Sequence, residues 1–525
     1  SVKTVHIPGY TVRNERNGEA GMGLDNNKTR KKTIKVLFVY PNPMMDNLIP
    51  IGVSLLSSCL KQAGHQVKLF DTTFYDTGEP IGEYYREKNL QVIKTDFKDV
   101  GITREKDEEE MISDFRKMVD EYRPDLVAVS AIEISYLQGV KLLQSIVDYD
   151  VSKIMGGVHA TFSPDEALRE DSIDMICRGE GEDAIVELAD KIAYGEDYST
   201  ILNIWSKKDG KIIKNELRPL KDLNTLPFQD WEIYDERRLY KPFLGSITVT
   251  AAIETSRGCP GKCSYCCNPV SQEMYRDKGR FFRIKDNVKV MEEINYLKKR
   301  YNINFIKIVD PDFLAKSRNQ FLEFTELYKE IKIPFWAEAR AGDITEEKVQ
   351  LLEEIGCRGF AVGLESGNEY IRKEILDKNV SNKTIIEAFK ILKKTNMKIC
   401  ANNMIGIPHE GRKEIFDTIR INKAINLDNP IVNIFNPYRG TPLRDLCVKE
   451  GYITEDSLAG DYRSETVLEM PQISKEELYG LQRTFPLYVK LPKVLYPLIK
   501  VAEKSDLVFQ IFSKYYSWKY LSNKK

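Results

Sequence analysis

Four of the nine cysteines in this 525-residue chain, Cys259, Cys263, Cys266 and Cys267, fall within nine residues of one another. The run Ser256-Arg257-Gly258-Cys259-Pro260-Gly261-Lys262-Cys263-Ser264-Tyr265-Cys266 sets three thiols at C-x3-C-x2-C on a short loop containing glycine. Three thiolates so spaced can curl around one face of a cubane iron–sulfur cluster, leaving one iron with an open coordination position. A structural zinc site needs four ligands, usually as two separated pairs. No second C-x2-C pair or histidine pair follows, and the chain has only four histidines. Cys267 would diverge from its neighbour Cys266, so it reads as a supporting or core residue. A ferredoxin would need a fourth cysteine at cluster spacing. The isolated Cys59, Cys177, Cys357, Cys400 and Cys447 read as small core hydrophobes.

The elements that must position this loop form an alternating strand and helix pattern. Strands are expected at 247–255, 305–310, 335–340, 359–365, 399–407 and 431–435, with helices at 288–298, 321–331, 348–355, 384–394 and 412–424. Six such βα units fit a partial barrel with its chemistry on the loops at the strand ends. An earlier alternation has strands at 34–40, 66–71, 125–131, 153–155 and 175–178 and helices at 51–63, 108–122, 136–149 and 183–192. Continuous apolar strands between helices indicate a parallel sheet covered on both faces, binding its ligand beyond the carboxyl ends of the strands. Lys207-Lys208-Asp209-Gly210-Lys211 is a hairpin signal, and Pro219, Pro227 and Pro242 mark a connector. The fold class is α/β: an extension over 1–33, a doubly wound, flavodoxin-like domain over 34–200, a linker over 201–246, the partial barrel over 247–449 and a mainly helical region over 450–525.

Lys and Arg number 78 against 79 Asp and Glu, leaving a net charge of −1, so no global basic field gathers nucleic acid. Hydrophobic residues make up 42% and charged residues 30%, and 31 Gly with 22 Pro exclude a collagen-like or low-complexity chain. No run of 18 apolar residues and no leader pattern are seen, so a cytoplasmic protein, at most peripheral to a membrane, is expected. Residues 491–521 interleave Tyr496, Leu498, Phe509, Phe512, Tyr516 and Trp518 with Lys493, Lys500, Lys504, Lys514 and Lys519. This segment reads as a helical cap or partner contact, with a basic amphipathic membrane face as the alternative.

The cysteine loop, with an aromatic before its last cysteine and placed after the first strand of a (βα)6 pattern, resembles the radical S-adenosylmethionine superfamily. The resemblance implies a 4Fe-4S cluster on Cys259, Cys263 and Cys266, with S-adenosylmethionine chelated at the open iron and cleaved to a 5′-deoxyadenosyl radical. Tyr265 would lie near the adenine. Strand-end residues Asp310, Glu338, Arg340, Glu365, Gly406 and Pro408 would surround the rest of that molecule. An external low-potential electron donor, a flavodoxin or ferredoxin, is implied as partner.

The order Tyr40-Pro41-Asn42-Pro43, Ser130-Ala131-Ile132-Glu133, Met155-Gly156-Gly157-Val158-His159 and Arg178-Gly179-Glu180 resembles the cobalamin-binding domain of the B12-dependent radical enzymes. By that resemblance Ser130, Glu133, Gly156, Gly157, His159, Gly179 and Glu180 contact cobalamin. One departure stands out. Corrinoid methyltransferases place Asp-x-His-x-x-Gly after the first strand, and the loop from Pro41 to Pro50 has no histidine. Cobalamin bound without a protein imidazole below cobalt is therefore expected. The first strand turn also lacks the glycine pattern of a nicotinamide site.

Together these resemblances imply methylation of an unactivated substrate carbon by methylcobalamin and the deoxyadenosyl radical. The alternative is a radical cyclisation or ring rearrangement, as in the anaerobic magnesium-protoporphyrin ester cyclase. A non-catalytic corrinoid and Fe-S electron-transfer module ranks behind both. The expected substrate is a small molecule, hydrophobic, tetrapyrrole-like or lipid rather than a peptide, with no nucleic acid partner.

Overall fold

The computed structural model describes residues 32–521 apart from 47, 81, 95–99, 101, 244–245 and 428. The expected extension over 1–33 lies outside them but for its last two residues. From Thr33 onward the chain is one unit.

The apolar run Lys35–Tyr40 forms β1, with Val36 to Val39 all 2% exposed or less at the centre of a sheet. Around it stand β2 (Gln66–Asp71), β3 (Leu126–Ser130), β4 (Ser152–Gly156), β5 (Met175–Cys177), β6 (Ile204–Lys208) and β7 (Lys211–Lys214), in the order β2-β1-β3-β4-β5-β6-β7. β1 to β5 are parallel, and the β6–β7 hairpin is antiparallel. The strand order reverses at β1, so a ligand crevice opens beyond its carboxyl end, between β1 and β3. Helix Glu108–Tyr122 starts where Asp107 and Glu110 form a reciprocal capping box, which fixes its first turn.

The stretch 201–246, expected as a linker, is only partly one. Asp209 and Gly210 both take positive φ, 51° and 71°, as a two-residue hairpin turn requires, and β6 and β7 then extend the first sheet. At its other end β8 (Tyr240–Phe243) joins the second sheet.

That sheet contains β9 (Ser246–Ile253), β12 (Phe305–Ile308), β13 (Phe335–Arg340), β14 (Cys357–Glu365), β15 (Lys398–Ile405) and β16 (Asn429–Ile434), all parallel, in the order β16-β15-β14-β13-β12-β9-β8. β9 and β16 do not pair, so the barrel is open. A short ribbon of β10 (Ser256–Arg257) and β11 (Arg283–Ile284) leads into and out of the cysteine segment. One apolar core runs from Val36 of the first sheet and Ile185 of the helix Glu182–Tyr194 through Trp231 to Ile253 and Ile306 of the second sheet. The two domains are fused by packing rather than merely tethered.

The two outer parallel strands, β9 and β16, both have neighbours. β8 pairs antiparallel to β9. On the far side the Gln91 side chain donates from Nε2 to Val432 O at 3.0 Å and accepts at Oε1 from Val432 N at 3.1 Å, as a neighbouring strand would.

Beyond residue 450 the structure departs from the expected helical region. Residues 452–473 form an irregular strap, because Ser457, Gly460, Asp461 and Pro471 supply turns instead of helix. The strap is held by Ile434 N donating to Tyr462 O at 2.7 Å and by Asn436 Nδ2 donating to Glu465 O at 2.7 Å. Helices follow at Lys475–Lys490, Tyr496–Ala502 and Asp506–Tyr516. Among the described residues no helix is long and apolar enough to cross a membrane.

Candidate active site at the facing strand ends

The cysteine loop leaves β10 through Gly258, whose φ of +86° and approach to the Phe281 carbonyl leave no room for a Cβ. Gln272 Nε2 donates to Cys259 O at 2.7 Å, and Ser264 Oγ donates to Ile375 O at 2.6 Å, so the loop is pinned at both ends. Cys259, Cys263 and Cys266 line one cavity of about 150 Å³, and Cys267 is not among its walls. Asn268 Nδ2 donates to Cys266 Sγ at 3.4 Å, and Gly261 N donates to Cys259 Sγ at 3.3 Å. Together with a hydrogen bond from Cys267, the Asn268 contacts hold the Cys266 thiol down at about 6. Among the described residues no three acidic, cysteine or histidine side chains converge on a single metal point. Three sulfurs around one shared hollow are an arrangement that fits the corners of a cluster.

The strand-end residues divide into two groups. Glu338, Arg340 and Glu365 line the cysteine cavity, as does Tyr265. Glu338 is ion-paired to Lys307, while the Arg340 Nε is buried without a partner. Glu365 has φ +62°, uncommon for a residue with a side chain. It is paired at 2.9 Å with Lys378, and Gly363 is bare so that this pair can pass: a Cβ there would lie 2.5 Å from Glu365 Oε1 and 2.7 Å from Lys378 Nζ.

Asp310 belongs to the second group. It is 2% exposed and does not line the cavity. Its carboxylate accepts from Thr255 N at 2.7 Å, Ser256 N at 3.1 Å, Ser256 Oγ at 2.7 Å and the Thr255 hydroxyl, and pairs with buried Lys316 at 2.8 Å. The expected nucleoside contact is replaced by a brace for the entry to the cysteine loop. Gly406 and Pro408 line neither this cavity nor the next. Gly406 donates from its N to Glu410 Oε2 at 2.8 Å, and burial pushes the Glu410 carboxyl up to about 8. These residues shape the turn after β15 from behind.

A second cavity of about 500 Å³ shares Tyr265, Glu338, Glu365 and Asn402 with the first. Its walls add Arg86, Lys307, Trp336, Asn433, Asn436 and Tyr438. Trp336 Nε1, Asn433 Oδ1 and Asn436 Oδ1 are buried without partners. This cavity is polar in good part, where a hydrophobic substrate was expected, and the C-terminal region contributes Tyr462 from the strap. Arg86, Lys378, Asn402 and Trp336 were not foreseen from the sequence. Lysine, asparagine or tryptophan within a strand or loop carries no motif, and Arg86 reaches the barrel from a segment of the first domain.

On the opposing side, Ser130 and Gly156 are register partners at the ends of β3 and β4. Gly157 has φ +93°, and a Cβ there would stand 2.5 Å from Ala131 O. His159 follows on the short helix Val158–Phe162, 2% exposed and stacked on Tyr136 at 3.8 Å between centroids, with both ring nitrogens lacking hydrogen-bond partners. Its Nε2 faces Glu166 Oε2 at 3.8 Å, and polar atoms left without hydrogen bonds at the end of a parallel sheet suit a large cofactor with amide side chains.

Glu133 and Glu180 are engaged elsewhere. Glu133 accepts from Arg439 N and Ala459 N, both at 2.8 Å, and Glu180 is bound to Arg283 and Arg257 of the barrel domain. Gly179 has φ +73°, and a Cβ would fall 1.9 Å from Tyr275 Oη. The three residues expected around cobalamin therefore join the carboxyl edge of the first sheet to barrel loops, and bring the two sets of strand ends face to face.

Burial and the Arg439 and Arg444 guanidinium groups lower the His159 pKa to about 4, from 6.5. The unfolded chain thus binds this proton more tightly. The stability linked to neutral His159 is complete above pH 6.5 and is lost as pH falls toward 4. About 3 kcal/mol is expected to disappear across that window. In urea titrations of the apoprotein, His159→Phe, which keeps the stacking on Tyr136, should lose less stability than the parent chain between pH 7 and 4.5. Equal losses would contradict this assignment.

A family model described as Radical SAM superfamily matches residues 253–421, and one described as B12 binding domain matches residues 46–189. The chain is 27% identical over 429 residues to an uncharacterized methyltransferase of Pyrococcus horikoshii, covering 80% of this chain and 89% of the relative. It is 24% identical over 432 residues to the anaerobic magnesium-protoporphyrin IX monomethyl ester cyclase of Rubrivivax gelatinosus, covering 79% and 69%. In fold it is similar to the radical S-adenosylmethionine methyltransferase TsrM of Kitasatospora setae, with a TM-score of 0.59 and 15% identity over 88% of this chain and 86% of that one.

Open barrel and three-cysteine cavity define a radical S-adenosylmethionine enzyme. The chain thus combines a radical SAM domain over 253–421 with a B12-binding domain over 46–189 packed against its strand ends. Its cofactors are a 4Fe-4S cluster, S-adenosylmethionine and cobalamin.

Proposed function

We propose that the enzyme methylates an unactivated carbon of a small-molecule substrate held between its two domains. The observation that carries this reading is the opposition of the two carboxyl edges, joined by Arg439 N donating to Glu133 and by Glu180 N donating to Tyr275 Oη at 2.9 Å. When bound, the cofactors supply a hydrogen-abstracting radical and a transferable methyl group.

The chain's own residues bind and orient. Cys259, Cys263 and Cys266 would hold the cluster. Arg340 offers a guanidinium to a carboxylate, Glu338 a carboxylate to an ammonium group, and Tyr265 a ring beside the adenine. The Glu365–Lys378 pair neutralises charge on the β14 side of the cavity. Asn433, Asn436 and Trp336 offer unpaired polar atoms to a substrate with hydrogen-bonding groups beside an apolar part. Fixed placement of the reacting partners is where the protein contributes most to such a rate.

The groove next to the cysteine loop, lined by exposed Lys262 and Asp377 and by the Arg276–Glu273 pair, is the polar surface where docking of a flavodoxin or ferredoxin belongs in this reading, with Lys262 as its cation outside any ion pair among the described residues. Nine unbridged cysteines support a reducing, cytoplasmic setting. A peripheral lipid contact through the helices after residue 491 belongs to the same reading, supported by their exposed apolar side chains.

The test is isotopic. With S-[methyl-2H3]-adenosylmethionine, reductant and cobalamin, label is expected in the product together with 5′-deoxyadenosine. Product without label, at equal deoxyadenosine, would establish cyclisation or rearrangement instead. Absence of deoxyadenosine across candidate substrates would leave a carrier module.

A further inference from the structure

The helices Tyr496–Ala502 and Asp506–Tyr516 pack on each other and on helix Lys475–Lys490 through Ile499, Ala502, Phe509 and Tyr516, all buried. Their outward faces are apolar as well. Leu507, Ile511 and Trp518 are 72%, 64% and 71% exposed, at a spacing that sets them opposite Phe509 and Tyr516. Val494, Leu498 and Val501 form the matching exposed stripe on and before the shorter helix. A monomer rarely shows so many large apolar side chains together without using them.

The exposed charges around these stripes are five lysines against one acid, Asp506, which is itself paired. Lys493, Lys500, Lys504, Lys514 and Lys519 are all exposed. Of the two acids of the segment, Glu503 is buried against Arg412 and Tyr488, and Asp506, though 84% exposed, is neutralised by its pair with Arg483. Lysine is depleted at protein–protein interfaces, whereas lysines beside an apolar helical face mark a membrane-surface helix.

We infer that this helical hairpin lies in the headgroup region of an anionic bilayer, with Leu507, Ile511 and Trp518 inserted beside Leu498 and Val501 and the lysines on lipid phosphates. The inference deepens the lipid-contact part of the proposed function and is independent of methyl transfer, since its test needs neither cofactor nor substrate.

The test is partition of the full chain into phosphatidylglycerol/phosphatidylcholine vesicles against phosphatidylcholine alone, by cosedimentation. Binding is expected to the anionic vesicles and to weaken with salt. Each lysine replaced by serine should weaken it roughly fivefold, and Leu507→Ser/Ile511→Ser/Trp518→Ser by more than about tenfold. The other tryptophans are enclosed: Trp205 and Trp231 are buried and Trp336 lines the cavity. Brominated acyl chains should therefore quench Trp518 emission, and the quenching should vanish in Trp518→Phe. No binding to anionic vesicles, equal binding to neutral ones, or binding indifferent to the triple substitution would overturn the inference. So would lipid-free dimerisation abolished by the triple substitution, which would assign the face to a second copy of the chain.

Discussion

Anaerobically reconstituted Cys259→Ala, Cys263→Ala and Cys266→Ala proteins are expected to lose the visible absorption of the cluster and to lower 5′-deoxyadenosine formation at least about a thousandfold. Each of the three side chains faces the same small cavity, and no other cysteine lines it. Cys267→Ala is the control. Its backbone begins the helix Asn268–Met274, and its thiol is hydrogen-bonded to Cys266, so the cluster should persist in the variant. A Cys266→Ala protein that retained a full cluster signal, lost only on further replacement of Cys267, would put the neighbouring sulfur in the ligand set.

Asp310→Ala is expected to act on folding, not on affinity for S-adenosylmethionine. The substitution strands the Lys316 ammonium, fully buried 2.8 Å from the lost carboxylate, and removes the acceptor for Thr255 and Ser256 backbone N–H groups. Removing one partner of a buried pair costs about 3–5 kcal/mol. Denaturant titration should show that loss, and Asp310→Asn part of it. Any folded fraction should keep its affinity for S-adenosylmethionine, measured by calorimetry. Unchanged stability with weakened binding would return Asp310 to the nucleoside site.

These two cases show what a sequence exposes and what it conceals. The cysteine loop is legible because its ligands lie within one short segment, so spacing alone constrains the chemistry. Strand periodicity was equally plain: β2, β13 and the helix Glu108–Tyr122 have the ends expected of them. Asp310 is different. An acid at a strand end can face a ligand or turn back on its own loop, and what decides is Lys316, six residues on, folding underneath it. Glu133 and Glu180 also looked like cofactor contacts, yet their partners Arg439 and Arg283 come from the other domain, 306 and 103 residues away in sequence. The strap over 452–473 escaped because the apolar residues around it suggested helices, while turn-forming residues governed its path. Arg86 reaches the second cavity only through the packing of one domain on the other, which no local pattern records.

The open barrel sheet has one more consequence, for solubility. A parallel sheet that stops short of closure has two raw borders, each able to template strand addition by another molecule. Here one border is taken by β8, and at the other Gln91 occupies both hydrogen-bonding groups of Val432. At Val432 a foreign polypeptide finds the backbone already engaged. Gln91→Ala, though remote from any reacting atom, would free both Val432 groups while Tyr462 still holds Ile434 N, so the variant should self-associate faster than the parent chain in light scattering.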